Sequence, residues 1–176
     1  VVILSNLFVD MLYGWLDPET AVRAMPLIIR ERPDVKLFFM GCLHPLADTN
    51  SDTISRTKKL SDSLGLTGKY VIFLDHWVPY DDRADYLLEA DIGLSLHLES
   101  VETDYSYRTR ITDYIWACLP TLSTRGGDLS KLVEDKKLGA TVGYRDHEEL
   151  AQKVLQMARG ELSLDTFREN IRNFQH

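Results

Sequence analysis

Two arginines and an aspartate in the stretch SVETDYSYRTRITDYIWACLP, residues 100–120, have the types and spacing needed to bind a phosphorylated ligand. Arg108 and Arg110 fall in the predicted first turn of a helix, and Asp113 lies one turn further on. A helix N-terminus already carries a partial positive charge, so each cation there costs about 0.3–1 kcal/mol unless an anion is near. The stretch therefore predicts an anion close to these arginines.

Two interpretations account for that anion. In the first, Glu102, Asp104 and Asp113 neutralise the arginines, and Arg110 with Asp113 is an ordinary i,i+3 helix pair. In the second, the free N–H groups and both guanidinium groups bind a diphosphate, and Asp113 accepts hydrogen bonds from ribose hydroxyls. The sequence leaves both open.

Composition limits the class of protein. The chain has 176 residues, of which 44% are hydrophobic and 27% charged, as expected of one globular domain. Its net charge of −7 argues against nucleic acid or an anionic membrane as the main partner. Cys42 and Cys118 form no ligand pattern and are typical of reduced thiols in a cytosolic chain. No apolar run is long enough for a transmembrane segment. The start VVIL, without Met, indicates a piece of a longer protein.

Short apolar runs alternate with helical patterns along the chain. Strands are predicted at residues 1–4, 36–40, 70–74, 92–95, 121–123 and 140–142. Helices are predicted from Asp17 as N-cap to about residue 32, and at about 51–64, 81–89, 107–117, 129–134, 146–159 and 164–174, with Ser106 and Asp128 as further caps. This alternation predicts a Rossmann-like three-layer α/β/α sandwich with a six-stranded, mainly parallel sheet.

Ligands of such folds bind at the carboxyl ends of the strands, which here means the loops 5–17, 41–50 and 96–106. No GxGxxG follows the first strand and no GxxxxGK[ST] occurs, so neither a dinucleotide dehydrogenase nor a P-loop ATPase is supported. No His, Asp, Glu and Cys set has metal-ligand spacing, and we expect chemistry without a metal.

The stretches LFFMGCLHP, DHWVPYDDRADYLLEADIGLSLH, VETDYSYRTRITDYIWACLP and STRGGDLSKLVEDKKLGATV resemble the carboxy-terminal, nucleotide-sugar-binding half of a GT-B glycosyltransferase of the family 4 type. The resemblance covers residues 15–155 and is most specific over 90–120. It implies that residues 1–176 form one donor-binding domain, ending in a helix at about 161–176, of a two-domain hexosyltransferase that is retaining, metal-independent and without cofactor. The acceptor, a carbohydrate or a lipid-linked molecule, would bind to the missing amino-terminal half, so the fragment alone would be inactive. A cytoplasmic location is expected, with the full-length enzyme able to act at the inner membrane face.

The resemblance also assigns roles to single residues. Family members carry two acids with seven residues between them, before a small-residue-plus-proline turn, the first at the donor sugar and the second at the ribose. Counting back from Pro120 places the second acid at Asp113. The first, catalytic acid would be Glu102, although ten residues separate the two, and Glu99 is the alternative.

The phosphates and the base of the donor would contact residues that differ from those of the family pattern. The family's glycine-rich turn is replaced by DYSYRTR, so the phosphates would contact Arg108 and Arg110 together with the helix start at Ser106 and Tyr107. Gly14 is the only glycine of the first loop that could approach the diphosphate. The loop DHWVPY would frame the base, with Trp77 and Val78 as candidates by position.

Two further interpretations belong to other functional classes. The chain could be a nucleotide-sensing or interaction domain without turnover, or a sugar-nucleotide epimerase of the same architecture. His97, at the end of a predicted strand, is either a hydrogen-bonded structural histidine or a donor to sugar or phosphate.

Overall fold

The computed structural model describes residues 3–8, 16–40, 52–74, 76, 78–79, 81–101 and 108–176, with residues 3–8 described by their backbone alone. The strands are β1 Ile3–Phe8, β2 Lys36–Met40, β3 Val71–Phe73, β4 Ile92–Ser95, β5 Thr121–Thr124 and β6 Gly139–Val142. The helices within the described residues include α1 Pro18–Glu31, α2 Asp52–Ser63, α3 Arg83–Leu88, α4 Thr109–Trp116, α5 Asp128–Asp135, α6 His147–Ala158 and α7 Leu164–Gln175.

The strands pair side by side in the order β3-β2-β1-β4-β5-β6, and every pair is parallel. The predicted α/β, Rossmann-like architecture is therefore confirmed. The strand order reverses between β1 and β4, because β2 and β3 lie to one side and β5 and β6 to the other. In open sheets of this kind the crevice at that reversal, outside the carboxyl ends of the strands, is where ligands bind.

The two ends of helix α1 are explained by the capping residue and the prolines of the local sequence. Asp17 caps it, since its carboxylate accepts hydrogen bonds from Thr20 N at 3.2 Å and from Thr20 Oγ1 at 2.7 Å. Pro18 takes the first helical position, where no N–H is needed. The helix ends at Glu31, just ahead of Pro33, as the RERPD sequence predicts.

Apolar side chains from the helices cover the sheet. The largest cluster joins Met25 and Ile28 of α1 to Leu150 and Val154 of α6, all of which are buried. A second cluster holds Leu87, Ala90, Tyr114 and Leu119, and so packs α3 against α4 beside β4. The helix that carries Arg110 and Asp113 is thereby anchored through its own buried face.

Helix α4 lies close to β4 because Gly93 has no side chain. The Tyr114 ring is fully buried, and its hydroxyl donates to the Leu94 carbonyl at 2.8 Å. Burial raises the pKa of the Tyr114 hydroxyl above its ordinary value. A Cβ atom at Gly93 would lie 2.7 Å from the Tyr114 ring, and the hydrogen bond holds the ring in place.

Gly93→Ala should therefore lower the free energy of unfolding by about 1–3 kcal/mol, because the added methyl group overpacks the seat of α4. Urea denaturation measures this loss. Gly143→Ala is the control, since the nearest atoms to its Cβ position are 3.4 Å away. Equal losses in the two variants would contradict the steric explanation.

Candidate functional site

The residues singled out in the sequence lie at the start of α4, next to the carboxyl ends of β4 and β5. The helix begins at Thr109, with Arg108 in the cap position and no side-chain cap hydrogen bond. The predicted first residue Tyr107 and the predicted cap Ser106 lie outside the described residues. Asp128 is the first residue of α5, and Gly127, at a φ of 73°, is its cap.

Arg108 is buried, with 4% of its surface exposed. Its Nη1 atom donates to the Thr124 carbonyl at 2.7 Å and lies 3.4 Å from Thr124 Oγ1. Thr124 is the last residue of β5, so the guanidinium group ties the start of α4 to the end of a neighbouring strand. The contact of Arg108 with a diphosphate stays a prediction, beside this structural contact.

Thr124 connects several elements at this edge of the sheet. Its hydroxyl accepts a hydrogen bond from His97 N at 3.2 Å, and its carbonyl accepts a second one, from Ser130 Oγ at 2.9 Å. Sequence reasoning missed this residue, because a threonine that ends an apolar run is typical of any strand. Thr124 therefore fixes the relative positions of β4, the start of α4 and the start of α5.

His97 is held as a neutral imidazole beside Arg108. Burial chiefly, and then the charge of Arg108, lower its pKa to about 3. Its Nε2 atom lies 3.3 Å from Ser95 Oγ. A neutral ring can donate or accept a hydrogen bond without adding charge to the site, so both interpretations of His97 stand.

The lowered pKa of His97 predicts a pH-dependent stability. Between about pH 6.5 and the folded pKa, unfolded chains bind a proton at this ring and folded chains do not, so stability falls as the pH falls. The loss attributable to His97 is about 1 kcal/mol per pH unit below 6.5. Urea denaturation of the parent and His97→Asn between pH 7 and 5 measures it as the difference in slope. Parallel pH profiles would show that the His97 ring titrates in the folded chain as it does in the unfolded chain.

Arg110 and Asp113 form an ion pair within one turn of α4. Arg110 Nη1 donates to Asp113 Oδ2 at 2.6 Å, and the two side chains are 19% and 29% exposed. The helix pair of the first interpretation is therefore present. It does not decide between the interpretations, because a partly exposed ion pair of this kind contributes little stability and would cost little to break when a ligand binds.

A cavity of about 290 Å³ lies against this ion pair, between α3 and α4. Asp81 and Arg83, at the start of α3, line it together with Arg110 and Asp113, and so does the exposed Trp116. Sequence reasoning missed Asp81 and Arg83, although both directly follow the loop DHWVPY that was predicted to frame a base. The cavity thus brings together groups at the starts of two helices, α3 and α4.

The other predicted site residues are placed differently. The Val78 side chain is buried against Met40, with Leu74 and Tyr86 packed beside them, so only its backbone could meet a base. Glu99 is exposed beyond the end of β4. The remaining candidates lie outside the described residues: Gly14, Trp77, Glu102, Ser106 and Tyr107.

The described residues contain neither a metal-binding cluster nor a helix that could span a membrane. They contain no group of three or more His, Cys, Asp or Glu side chains arranged to hold a metal ion. Each helix in this part of the chain is too short or too polar to cross a lipid bilayer.

Comparison with protein families adds the deciding observation. Residues 7–159 match the family model of the glycosyl transferases group 1, which is most of the chain. The chain belongs to the group 1 glycosyltransferases. The resemblance stated from the sequence is thereby confirmed, and the ion pair at the start of α4 lies inside the matched region.

Solved structures share the fold of this group 1 glycosyltransferase chain at low sequence identity. Anabaena Alr3699/HepE, solved in complex with UDP and glucose, is 16% identical with a TM-score of 0.78, and the match covers 98% of this chain and 42% of that one. The C-terminal domain of the group 1 glycosyltransferase LpcC from Francisella tularensis is 14% identical with a TM-score of 0.72, covering 97% of this chain and 80% of that domain. The chain thus spans about two fifths of the longer enzyme.

The same fold also occurs in a protein described as a UDP-N-acetylglucosamine 2-epimerase, from Listeria monocytogenes. It is 13% identical with a TM-score of 0.63, and the match covers 96% of this chain and 39% of that one. No curated protein sequence matches the chain. At these identities the structural matches establish the fold of the group 1 glycosyltransferase chain and nothing about its ligand.

Proposed function

We propose that this chain is the donor-binding half of a glycosyltransferase that moves a hexosyl group from a nucleoside diphosphate to a sugar, lipid or other acceptor. One observation carries the proposal. An arginine and an aspartate form an ion pair that lines a cavity beside the start of the helix that follows β4. Membership of the group 1 glycosyltransferases supports it.

The described residues suit different parts of the donor. Asp113 would accept hydrogen bonds from the ribose hydroxyls, and Arg110 would turn from Asp113 to the phosphate oxygens. Arg108, predicted from the sequence at the diphosphate, would hold the start of α4 in place beside the phosphates from the cap position of that helix. Backbone groups near Val78 would meet the base.

Residues outside the described part complete the proposed site. Glu102 would orient the donor sugar as the catalytic acid, with Glu99 as the alternative. Ser106, Tyr107 and Gly14 would approach the phosphates, and Trp77 would approach the base.

In the proposed reaction, this half of the enzyme has to stabilise the charge that forms on the leaving group. As the glycosyl group departs, negative charge grows on the leaving phosphate while the sugar develops oxocarbenium character. Fixed guanidinium and N–H groups stabilise that charge without rearranging during the reaction. Retention of configuration, independence of metals and cofactors, and a peripheral place at the inner membrane face are parts of the same proposal.

The acceptor is assigned to the other half of the enzyme. The chain should therefore bind a donor nucleotide, at a Kd of about 0.1–1 mM, and transfer no sugar alone. Calorimetric titration with UDP, GDP, ADP and dTDP tests the first statement, and incubation with the matching nucleotide sugar and acceptors tests the second. The donor-site proposal fails if none of the four nucleotides binds.

The epimerase alternative is separated by product analysis, since the fold is shared with a protein described as an epimerase. An epimerase interconverts its nucleotide sugar without an acceptor, whereas a transferase domain at most hydrolyses it slowly. A nucleotide-sensing domain would bind nucleotide and do neither, even when joined to its amino-terminal half.

A further inference from the structure

A second cavity, of about 440 Å³, opens on the carboxyl edge of the sheet. Residues at the starts of α1 and α2 line it, together with Leu98 after β4 and Arg145 after β6. It shares no lining residue with the cavity beside Arg110 and Asp113. Its volume is in the range of pockets that hold small ligands.

Three arginines from three elements line this cavity. Arg23 comes from α1, Arg56 from α2 and Arg145 from the turn after β6. Like charges repel, so such a group needs anions to offset it. In a chain whose net charge is −7, this cavity is a local concentration of positive charge.

The carboxylates of the cavity offset these cations only in part. Glu19 lies between two of them, 3.5 Å from Arg23 Nη2 and 3.3 Å from Arg56 Nε. Asp17 is buried and is already the hydrogen-bond acceptor for Thr20. Within the described residues Arg145 makes no ion pair, and three cations meet two carboxylates.

The position of the Glu19 carboxylate shows which kind of group this cavity can bind. Its carboxylate is an oxyanion held by two guanidinium groups, in the place where an external oxyanion would be held. We propose that this cavity binds the phosphoryl group of a phosphorylated sugar, which displaces the Glu19 side chain. A phosphate monoester offers three terminal oxygens to three guanidinium groups, whereas a carboxylate offers two. The sugar part of this assignment rests on the proposed function.

Arg145 has a backbone feature that agrees with this role. Its φ is 56°, in the left-handed region that residues other than glycine, asparagine and aspartate rarely adopt. Residues in sparsely populated backbone regions cluster at ligand sites, and Arg145 lines this cavity. The turn after β6 thus presents the third guanidinium group to the other two.

The test uses titration of the chain followed by NMR at the amides of Glu19, Thr20 and Arg145. The probes are glucose 6-phosphate, inorganic phosphate, glucuronate and glucose, at about pH 7.5 where the phosphates are dianions. Shifts are expected with both phosphates and not with glucose.

Variants change the affinity in opposite directions if the proposal is correct. Glu19→Gln removes the internal competitor and should tighten phosphate binding about fivefold. Arg56→Gln and Arg145→Asn should weaken it by about tenfold or more. Asparagine keeps the left-handed backbone accessible at position 145. Arg172→Gln, which removes an exposed arginine from α7, is the control and should change nothing.

Each outcome decides a part of the proposal. Equal binding of inorganic phosphate and glucose 6-phosphate supports the site and assigns the contact to the phosphoryl group alone. Equal binding of glucuronate overturns the preference for phosphate. The site itself is overturned if no probe shifts these amides at about 10 mM, or if Glu19→Gln weakens binding. Nucleotide binding is read separately at the amides of Arg110 and Asp113, so failure of one site does not hide the other.

Discussion

Replacing Asp113 by alanine is expected to weaken nucleotide binding by about tenfold to a hundredfold, because hydrogen bonds to a charged group contribute about 1.5–3 kcal/mol each. The fold should be nearly unaffected. The ion pair that Asp113 makes is partly exposed, and pairs of that kind stabilise helices by about 0.2–0.5 kcal/mol. Calorimetry with the best-binding nucleotide measures the first effect, and urea denaturation measures the second.

Combining Asp113→Ala with Arg110→Ala shows whether Arg110 also contacts the nucleotide. If Arg110 contacts the diphosphate, Asp113→Ala releases the Arg110 guanidinium group from the ion pair. Its stronger contact with the diphosphate then offsets part of the nucleotide affinity lost with Asp113. Arg110→Ala combined with Asp113→Ala should then bind more weakly than Asp113→Ala alone. If the two residues form only a helix pair, neither single variant changes the affinity, and the donor-site proposal loses its main observation.

Asp165→Ala is the matched control for this pair of residues. Asp165 lies in the first turn of α7 and approaches Arg168, three residues on, at 3.4 Å. It therefore reproduces the loss of an i,i+3 pair at a helix start, away from both cavities. Nucleotide affinity should be unchanged in this variant.

Hydrophobic pattern alone predicts most of the sheet. Residues 36–40 and 92–95 are predicted as strands and observed as β2 and β4 with the same ends. The first strand is different, because the apolar run predicts residues 1–4 and β1 extends over Ile3–Phe8, through Ser5 and Asn6. Ser5 pairs with β2 on one side and β4 on the other, and Asn6 lies at an irregularity in the pairing with β2, so the cause is long-range.

The same division between local and long-range causes applies to the site. Arg110 and Asp113 are three residues apart on a helix, and their ion pair follows directly from the helical period. The partner of Arg108 lies sixteen residues further along the chain, on a neighbouring strand. The sequence gives no sign of that contact, and so both arginines appear equally available for a ligand. Only the fold separates one partly exposed arginine from one that is buried.

Arg108 is therefore the residue whose replacement should affect stability most within the site. Arg108→Met keeps the length of the side chain and removes the buried hydrogen bond to the Thr124 carbonyl, so the free energy of unfolding should fall by about 1.5–3 kcal/mol. Arg108→Lys should lie between the parent and Arg108→Met, since an ammonium group keeps the charge without the planar fork. Urea denaturation measures both. Stability equal to that of the parent in Arg108→Met would contradict the structural role.

Nucleotide binding then separates positioning from direct contact at Arg108. If the Arg108 guanidinium group contacts the diphosphate, its replacement lowers the affinity for the nucleoside diphosphate and leaves the affinity for the nucleoside unchanged. If Arg108 only holds the start of α4 against β5, its replacement shifts Asp113 and the backbone around it. The affinity for both ligands then falls by a similar factor. Because Arg108 already donates to Thr124 and is 4% exposed, we expect the second pattern, measured with Arg108→Lys to keep the chain folded. Loss confined to the diphosphate would instead show that Arg108 reaches the ligand while it holds the strand.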